Sequence, residues 1–276
     1  MSDPELDLVL QVPGDVPPPE VGPRVLEALR RTCGADPASV ERLRQWCADL
    51  ARRLRGEATR LPADPLQRPT ILYLEGFDDH AWHDPKQYLV TPILEAAASM
   101  IRSEFFDRTR SPERWREYAE GVADRKWRAC WFYRRGRRVS ETTALYPRTS
   151  AFIDEHSGPG GPLASTLGDC FLSRLEPRGH IPPHNGLCNI SLVCHLALRI
   201  PAQCRFRVGA STRGWEEGKC LVFDDTFEHE AWNDSDSDRY VLVLPLWQSG
   251  VSPIEREFMQ IMTSWLNRLT ATYESP

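Results

Sequence analysis

Five short runs between residues 169 and 247 constrain the fold more than anything else in the chain. They are DCFLSRLEP (169–177), NISLVCHLALRIP (189–201), CRFRVG (204–209), KCLVFDD (219–225) and RYVLVLPLW (239–247), separated by Gly, Pro and Asp turns. Runs of this kind read as strands, and a succession of them has the layout of a sandwich or barrel. Strand alternation in NISLVCHLALRIP puts Ile190, Leu192, Cys194, Leu196, Leu198 and Ile200 on one face and Ser191, Val193, His195, Ala197 and Arg199 on the other. The first face is core. The second is small and mixed, with one imidazole, which suits the inside of a barrel that holds a polar ligand.

Helices flank these strands. Residues 1 to about 20 read as a flexible tail, because prolines cluster at 13, 17, 18 and 19 among few large apolar groups. From Pro23 to Leu54, Val25, Leu26, Leu29, Leu43, Trp46, Leu50 and Leu54 fall at helical spacing broken by Gly34 and Pro37, which predicts two helices. ADPLQRPT (63–70) reads as a linker, ILYLEGF (71–77) as a strand and turn, Pro92 to Phe106 as a helix, and RACWFYRRG (128–136) as a strand. The last segment opens on Ser252-Pro253 with Glu255 behind it, a helix start. The expectation is a mainly β protein with flanking helices, divided into a tail and small helical unit (1–66) and a β domain closed by a C-terminal helix (67–276).

The totals exclude several classes. A net charge of −5 over 276 residues gives no support to a nucleic-acid or anionic-membrane partner. No apolar stretch reaches the length of a membrane span, and the acidic, proline-rich N-terminus has no basic leader, so the expected location is the cytoplasm. The eight cysteines are scattered without a CxxC pair and read as reduced core residues.

Candidate chemistry gathers around three residues. His184 follows Pro182-Pro183 in a loop, and His229 sits in TFEHEAW just after KCLVFDD. Imidazoles at the mouths of neighbouring strands are a recurrent way to hold a transition metal. Arg239 opens RYVLVLPLW and faces inward if Val241 and Val243 share its side; its guanidinium suits one carboxylate. A dicarboxylate such as 2-oxoglutarate needs that anchor at its far end while its keto acid chelates the metal. Ser173 would add a hydroxyl there, and His195 would donate to the metal-side carboxylate. The competing readings are a core histidine for His195, a surface ion pair with Asp236 or Asp238 for Arg239, and a solvent-facing Ser173.

In LSRLEPRGHIPPHNGLCNISLVCHLALRIP and WEEGKCLVFDDTFEHEAWNDSDSDRYVLVLPLW, with WHDP and FYRRGRR upstream, the chain resembles the aspartyl/asparaginyl β-hydroxylases over roughly residues 70 to 247. That resemblance implies a double-stranded β-helix (jelly-roll, cupin-like) core and an Fe(II)- and 2-oxoglutarate-dependent dioxygenase using O2. It implies His184 and His229 as iron ligands, with Gly186 where a carboxylate is usual and water completing the shell. Ser173 and Arg239 match residues that bind the distal carboxylate of 2-oxoglutarate, His195 one that binds the metal-side carboxylate, and Tyr133 the place of a cosubstrate-proximal tryptophan.

Members acting on aspartyl residues carry arginines where this chain has Ser191 and Val193, which argues against an acidic side chain as substrate. Arg128, Arg134, Arg135 and Arg137 are candidate substitutes, and Asp224 and Asp225 candidates for orienting water or an imidazole. The implied reaction is hydroxylation at a β-carbon of an amino-acid unit, free, carrier-bound or peptidyl, as in a natural-product tailoring enzyme. Halogenation at the same two-histidine site is the alternative outcome. A metal-binding or sensing module of cupin type is the rival from another class.

Overall fold

A computed structural model of the chain describes residues 18–33, 36–108, 115–118, 126–157, 160–165 and 167–273. Most of the expected tail, residues 1–17, lies outside them. Two helices follow, α1 (Pro18–Cys33) and α2 (Pro37–Leu54). The second is started by Asp36, whose carboxylate accepts from the Ala38 and Ser39 amides at 3.0 Å, with Pro37 in the first turn.

The β region forms two sheets facing each other. Strands β1 (Trp82–His83), β2 (Arg116–Glu117), β3 (Trp127–Arg134), β4 (Arg137–Arg138), β5 (Cys170–Leu175), β7 (Ser191–Arg199), β10 (Cys220–Phe223) and β12 (Arg239–Trp247) make the larger, in the order β1-β10-β7-β12-β5-β3-β2 with β4 on β3. The smaller contains β6 (Gly179–His184), β8 (Cys204–Val208), β9 (Ser211–Arg213) and β11 (His229–Asn233) in the order β6-β11-β8-β9. All the ladders are antiparallel, the arrangement of a double-stranded β-helix.

Five of the strands match the expected runs; β6 replaces an expected loop, and β11 is a strand for which the sequence carries no expectation. Proline repels the strand assignment for GHIPPH, yet β6 is an edge strand, where missing amide donors are tolerated.

Alternation decides what each face of the larger sheet does. Cys194, Leu196 and Leu198 join Leu242 and Leu244 under helix α3 (Val90–Arg108), which lays Val90, Leu94, Ala98, Ile101 and Phe105 on them at helical spacing. Ala197, Val241, Val243, Phe171 and Trp131 point the other way, toward Phe206, Ala231 and Ile181 of the smaller sheet. The rule fails at both ends of β7. Ile190 packs with the helical unit, and Arg199, beside a bulge at Tyr240/Val241, lies over the Phe106 ring at 3.8 Å. Two short helices, α4 (Ser140–Leu145) and α5 (Pro147–Glu155), complete the outer layer.

The helical unit is not set apart at residue 66. Val25, Leu29, Leu43, Trp46 and Leu50 share one buried cluster with Leu72, Leu74, Ile190, Trp247 and Ile254, Phe258 and Met262 of α6 (Pro253–Tyr273). ILYLEGF forms no ladder strand: it makes a single parallel bridge between Leu72 and Cys188 and turns at Glu75 and Gly76. Cys47, Cys130, Cys170, Cys188, Cys194, Cys204 and Cys220 are free. Among the described residues no helix is long and apolar enough to cross a membrane.

Helix α6 begins with the expected reciprocal cap. The Ser252 amide donates to Glu255 at 2.8 Å and the Glu255 amide to Ser252 Oγ at 3.4 Å. The same buried carboxylate accepts from Arg42 Nε at 2.6 Å and Nη2 at 2.9 Å, tying α2 to α6. Arg42 keeps 22% of its side chain exposed, which sets the cost of separation at the low end for such pairs. Glu255→Ala is expected to lower the unfolding free energy by about 3 kcal/mol, read as a fall in the urea midpoint.

Candidate active site

Strand register brings the two histidines together. His184 ends β6, His229 begins β11, and the two are directly paired, with ring centroids 4.0 Å apart and planes at 51°. Each ring is oriented the same way: His184 Nδ1 lies 2.8 Å from the Pro182 carbonyl and His229 Nδ1 2.9 Å from that of Phe227. A carbonyl only accepts, so Nδ1 carries the hydrogen and, in the neutral ring, Nε2 holds the lone pair. Burial lowers the pKa of both, that of His229 to about 3 with His184 adding to the shift, so the rings are neutral at physiological pH. Two adjacent neutral imidazoles with Nε2 lone pairs could hold a divalent transition metal. Among the described residues no group of three or more His, Cys, Asp and Glu side chains assembles as a metal cage.

Gly186 is explained by what occupies the space beside it. A Cβ at this position would overlap the Asp225 carboxyl group, and the Gly186 amide donates to the Asp225 carbonyl at 2.6 Å. A carboxyl is therefore present near the histidines but comes from the opposite loop. Burial, with the neighbouring Asp224 charge, pushes its pKa up to about 8.

Arg239 is only 1% exposed, the bulkiest of the fully buried side chains. It lies over the Trp215 ring at 5.1 Å, and its Nε and Nη2 have no hydrogen-bond partner among the described residues. The surface ion pair weighed above does not form: Asp236 pairs with Arg178, and Asp238 with Arg174. Burial brings the guanidinium down to about 10, still charged at neutral pH. A buried cation with vacant donors calls for an anion.

Ser173 and His195 point toward the same interior. Ser173, on the inner face of β5 and opposite Val241, accepts from Trp127 Nε1 at 3.0 Å, which leaves its own hydrogen free to donate. Trp215 Nε1 lies 3.3 Å from His195 Nδ1. Indole only donates, so Nδ1 is the acceptor and Nε2 carries the hydrogen. Burial, then Arg239, then His229 hold the His195 pKa well below its usual value.

Tyr133 does not join this group. A bulge between Trp131 and Tyr133 turns its ring to the helix-covered face, where its hydroxyl donates to Asp154 at 2.7 Å. The tryptophan beside the histidines is Trp127, its ring 5.9 Å from His184.

Val193 packs against the inner cluster, and Ser191 is half-buried. Of the substitute arginines, Arg128 pairs with Glu176, Arg134 stacks on Trp131, and Arg135 and Arg137 are exposed around the β3–β4 turn. Trp127 and Trp215 were not singled out from sequence. Trp127 lies one residue before the expected strand, and Trp215 sits in a loop without periodicity.

If Gly186 is a glycine because Asp225 fills its side-chain space, the two positions must be coupled. Gly186→Ala is expected to destabilise the protein by about 2 kcal/mol, and Asp225→Gly in the same chain to restore most of that. Thermal unfolding of the four proteins in the cycle checks it.

Comparison with known proteins bears on this geometry. The family described as aspartyl/asparaginyl beta-hydroxylase matches residues 95–249, more than half of the chain. Mouse aspartyl/asparaginyl beta-hydroxylase is 35% identical over 131 residues, covering 47% of this chain and 17% of its own length. The human protein of that name is 30% identical over 199 residues, covering 68% and 25%. The ornithine lipid ester-linked acyl 2-hydroxylase of Rhizobium tropici is 32% identical over 133 residues, covering 47% and 44%. The matches thus span a quarter or less of the mouse and human proteins and under half of the bacterial one. With its double-stranded β-helix and a match over most of that core, the chain belongs to the aspartyl/asparaginyl β-hydroxylase family.

Proposed function

We propose that the protein is an Fe(II)- and 2-oxoglutarate-dependent dioxygenase that hydroxylates an amino-acid unit. The observation that carries this reading is Arg239, a buried guanidinium whose Nε and Nη2 have no hydrogen-bond partner among the described residues, in the barrel that also holds two imidazoles with their Nδ1 atoms engaged. The residues fit the cofactors: His184 and His229 as metal ligands, Arg239 and Ser173 as donors to the distal carboxylate, and the His195 Nε2 hydrogen for the metal-side one. Bound there, ferrous iron and 2-oxoglutarate would supply C–H oxidation by O2, with 2-oxoglutarate decarboxylated to succinate.

The chain's own groups do the rest. Trp127 holds the Ser173 oxygen, Trp215 fixes the His195 tautomer, and the carbonyls of Pro182 and Phe227 aim the two ligand rings. The apolar inner wall of Phe171, Phe206, Phe223 and Val243 excludes water from the reacting centre. The Asp225 carboxyl, which abuts Gly186, is the group this reading assigns to orienting a water beside the metal.

The substrate is an amino-acid unit, free, carrier-bound or peptidyl, and the lipid-directed name of the Rhizobium relative adds an amino-acid-bearing lipid to that class. Halogenation at the same two-histidine site is the alternative outcome, and a metal-binding module without turnover the alternative of another class.

The test is succinate release by anaerobically iron-loaded protein on admitting O2, with 2-oxoglutarate binding read by calorimetry. Turnover lost in His229→Ala and Arg239→Met supports the oxygenase. Absence of both turnover and cosubstrate binding in the wild type would leave the module. A separate consequence concerns stability. Arg239→Met is expected to stabilise the ligand-free protein by about 2 kcal/mol while abolishing the rise in melting temperature on adding 2-oxoglutarate.

A further inference from the structure

The segment read from sequence as a linker is bound to both histidine loops. On one side Glu228 N donates to the Leu66 carbonyl at 2.7 Å and Arg68 N to that of Thr226 at 2.8 Å, with an antiparallel bridge between Gln67 and Phe227. On the other side Thr70 N donates to the Gly186 carbonyl at 2.8 Å and Ile71 N to that of Leu187 at 2.9 Å. The buried Asn189 closes the far end, its side chain exchanging two 2.8 Å hydrogen bonds with the Leu74 backbone. Asn185 adds a link between the loops, donating to the Thr226 carbonyl at 2.8 Å. Residues 66–74 therefore form a strap across the two loops that carry His184 and His229.

Gln67 is the buried polar side chain of this strap beneath the second loop. It is 1% exposed, and its Nε2 lies 3.2 Å from Thr226 Oγ1, 3.3 Å from Asp224 Oδ2 and 3.3 Å from Asp79 Oδ1. Asp224 and Thr226 complete the network: Asp224 Oδ1 accepts from the Thr226 amide at 2.8 Å and hydroxyl at 2.6 Å. Between and just after these two residues come two groups that touch the histidine loops. Asp225 presents its carboxyl beside Gly186, and Phe227 presents the carbonyl that orients His229. A carboxamide is the neutral group that gives two N–H donors to such a cluster; an apolar side chain would take the donor away from Asp224 Oδ2 and Thr226 Oγ1.

We propose that Gln67 is a positioning residue for the metal centre, fixing the 224–228 loop and through it the aim of the His229 ring. This rests on the reading of His184 and His229 as metal ligands. Without the carboxamide, the Asp224 and Thr226 side chains lose their donor from the strap, and the loop that carries the Phe227 carbonyl is left to the backbone bonds of Leu66 and Arg68. Outer partners that hold a ligating histidine are worth 10- to 100-fold in metal affinity, about 1.4–2.7 kcal/mol.

Cobalt(II) binding to the full chain, followed by visible absorption and by competition for affinity, tests this without turnover. Gln67→Met, which keeps the length and removes the donors, is expected to weaken cobalt binding ~10- to 100-fold and to alter the visible bands. Thr226→Val should do the same, Thr226→Ser should retain binding, and the Gln67→Met/Thr226→Val pair should be no weaker than either alone. Tyr73→Phe, which removes only the Tyr73 to Asp79 bond at the outer end of the network, should bind as the wild type does. Wild-type affinity and spectrum in folded Gln67→Met, or fully additive losses in the pair, overturn the proposal. If Gln67→Met does not fold, the contrast between Thr226→Val and Thr226→Ser decides it, equal binding by the two counting against. A wild type that binds no cobalt overturns the metal reading itself, and the proposal with it.

Discussion

The pairing of β12 between β5 and β7 is the constraint on which the rest depends. All nine residues of Arg239–Trp247 are buried, and the strand is hydrogen-bonded on both edges. Its even-numbered leucines receive the helix layer while Arg239, Val241 and Val243 turn to the barrel interior. A slip of one residue would exchange these sets, exposing leucines to the cavity and putting a guanidinium against the Phe105 cluster. The helix layer and the placement of Arg239 therefore fix the same register.

The interior is costly to fold. It holds a buried cation with no ion-pair partner among the described residues, two imidazoles pushed further toward the neutral form by burial, and a carboxyl driven up to about 8. Apolar packing around them, from Phe171, Phe206, Phe223 and the ladders themselves, offsets that cost. Local departures from the stability optimum concentrated at one end of a rigid barrel are the usual physical mark of a site prepared for a charged ligand. The vacant donors of Arg239 and the free hydrogens of Ser173 and His195 are groups that a dicarboxylate and a metal would satisfy together.

The strap changes how the N-terminal region is understood. The helices α1 and α2 pack with α6 and with Ile190 and Trp247 at the ends of barrel strands, and the segment following them is threaded over both histidine loops. The helical unit and the site therefore share a continuous mechanical connection, through Leu72 and Leu74 in the core and Gln67 at the loop.

Much of this was legible in the residues. The five β-runs, the inner and outer faces at the middle of β7, the inward Arg239 and the capping of α6 all follow from local rules: alternation, turn residues and a Ser-x-x-Glu cap. His184, His229, Ser173, His195 and Arg239 were named from sequence, and the structure gathers them within one barrel. What failed depended on the neighbours of a segment. GHIPPH is a strand because it lies at an edge, Tyr133 turns away because of a bulge, and ILYLEGF is a strap because two loops offer it partners. Gly186 shows the division most clearly. The sequence by itself determined that no side chain stands there, and only the tertiary structure decided why, since the carboxyl that fills the space arrives from Asp225, thirty-nine residues away along the chain. Local patterns record what a residue does to its own backbone, whereas steric exclusion between distant segments exists only once they have packed.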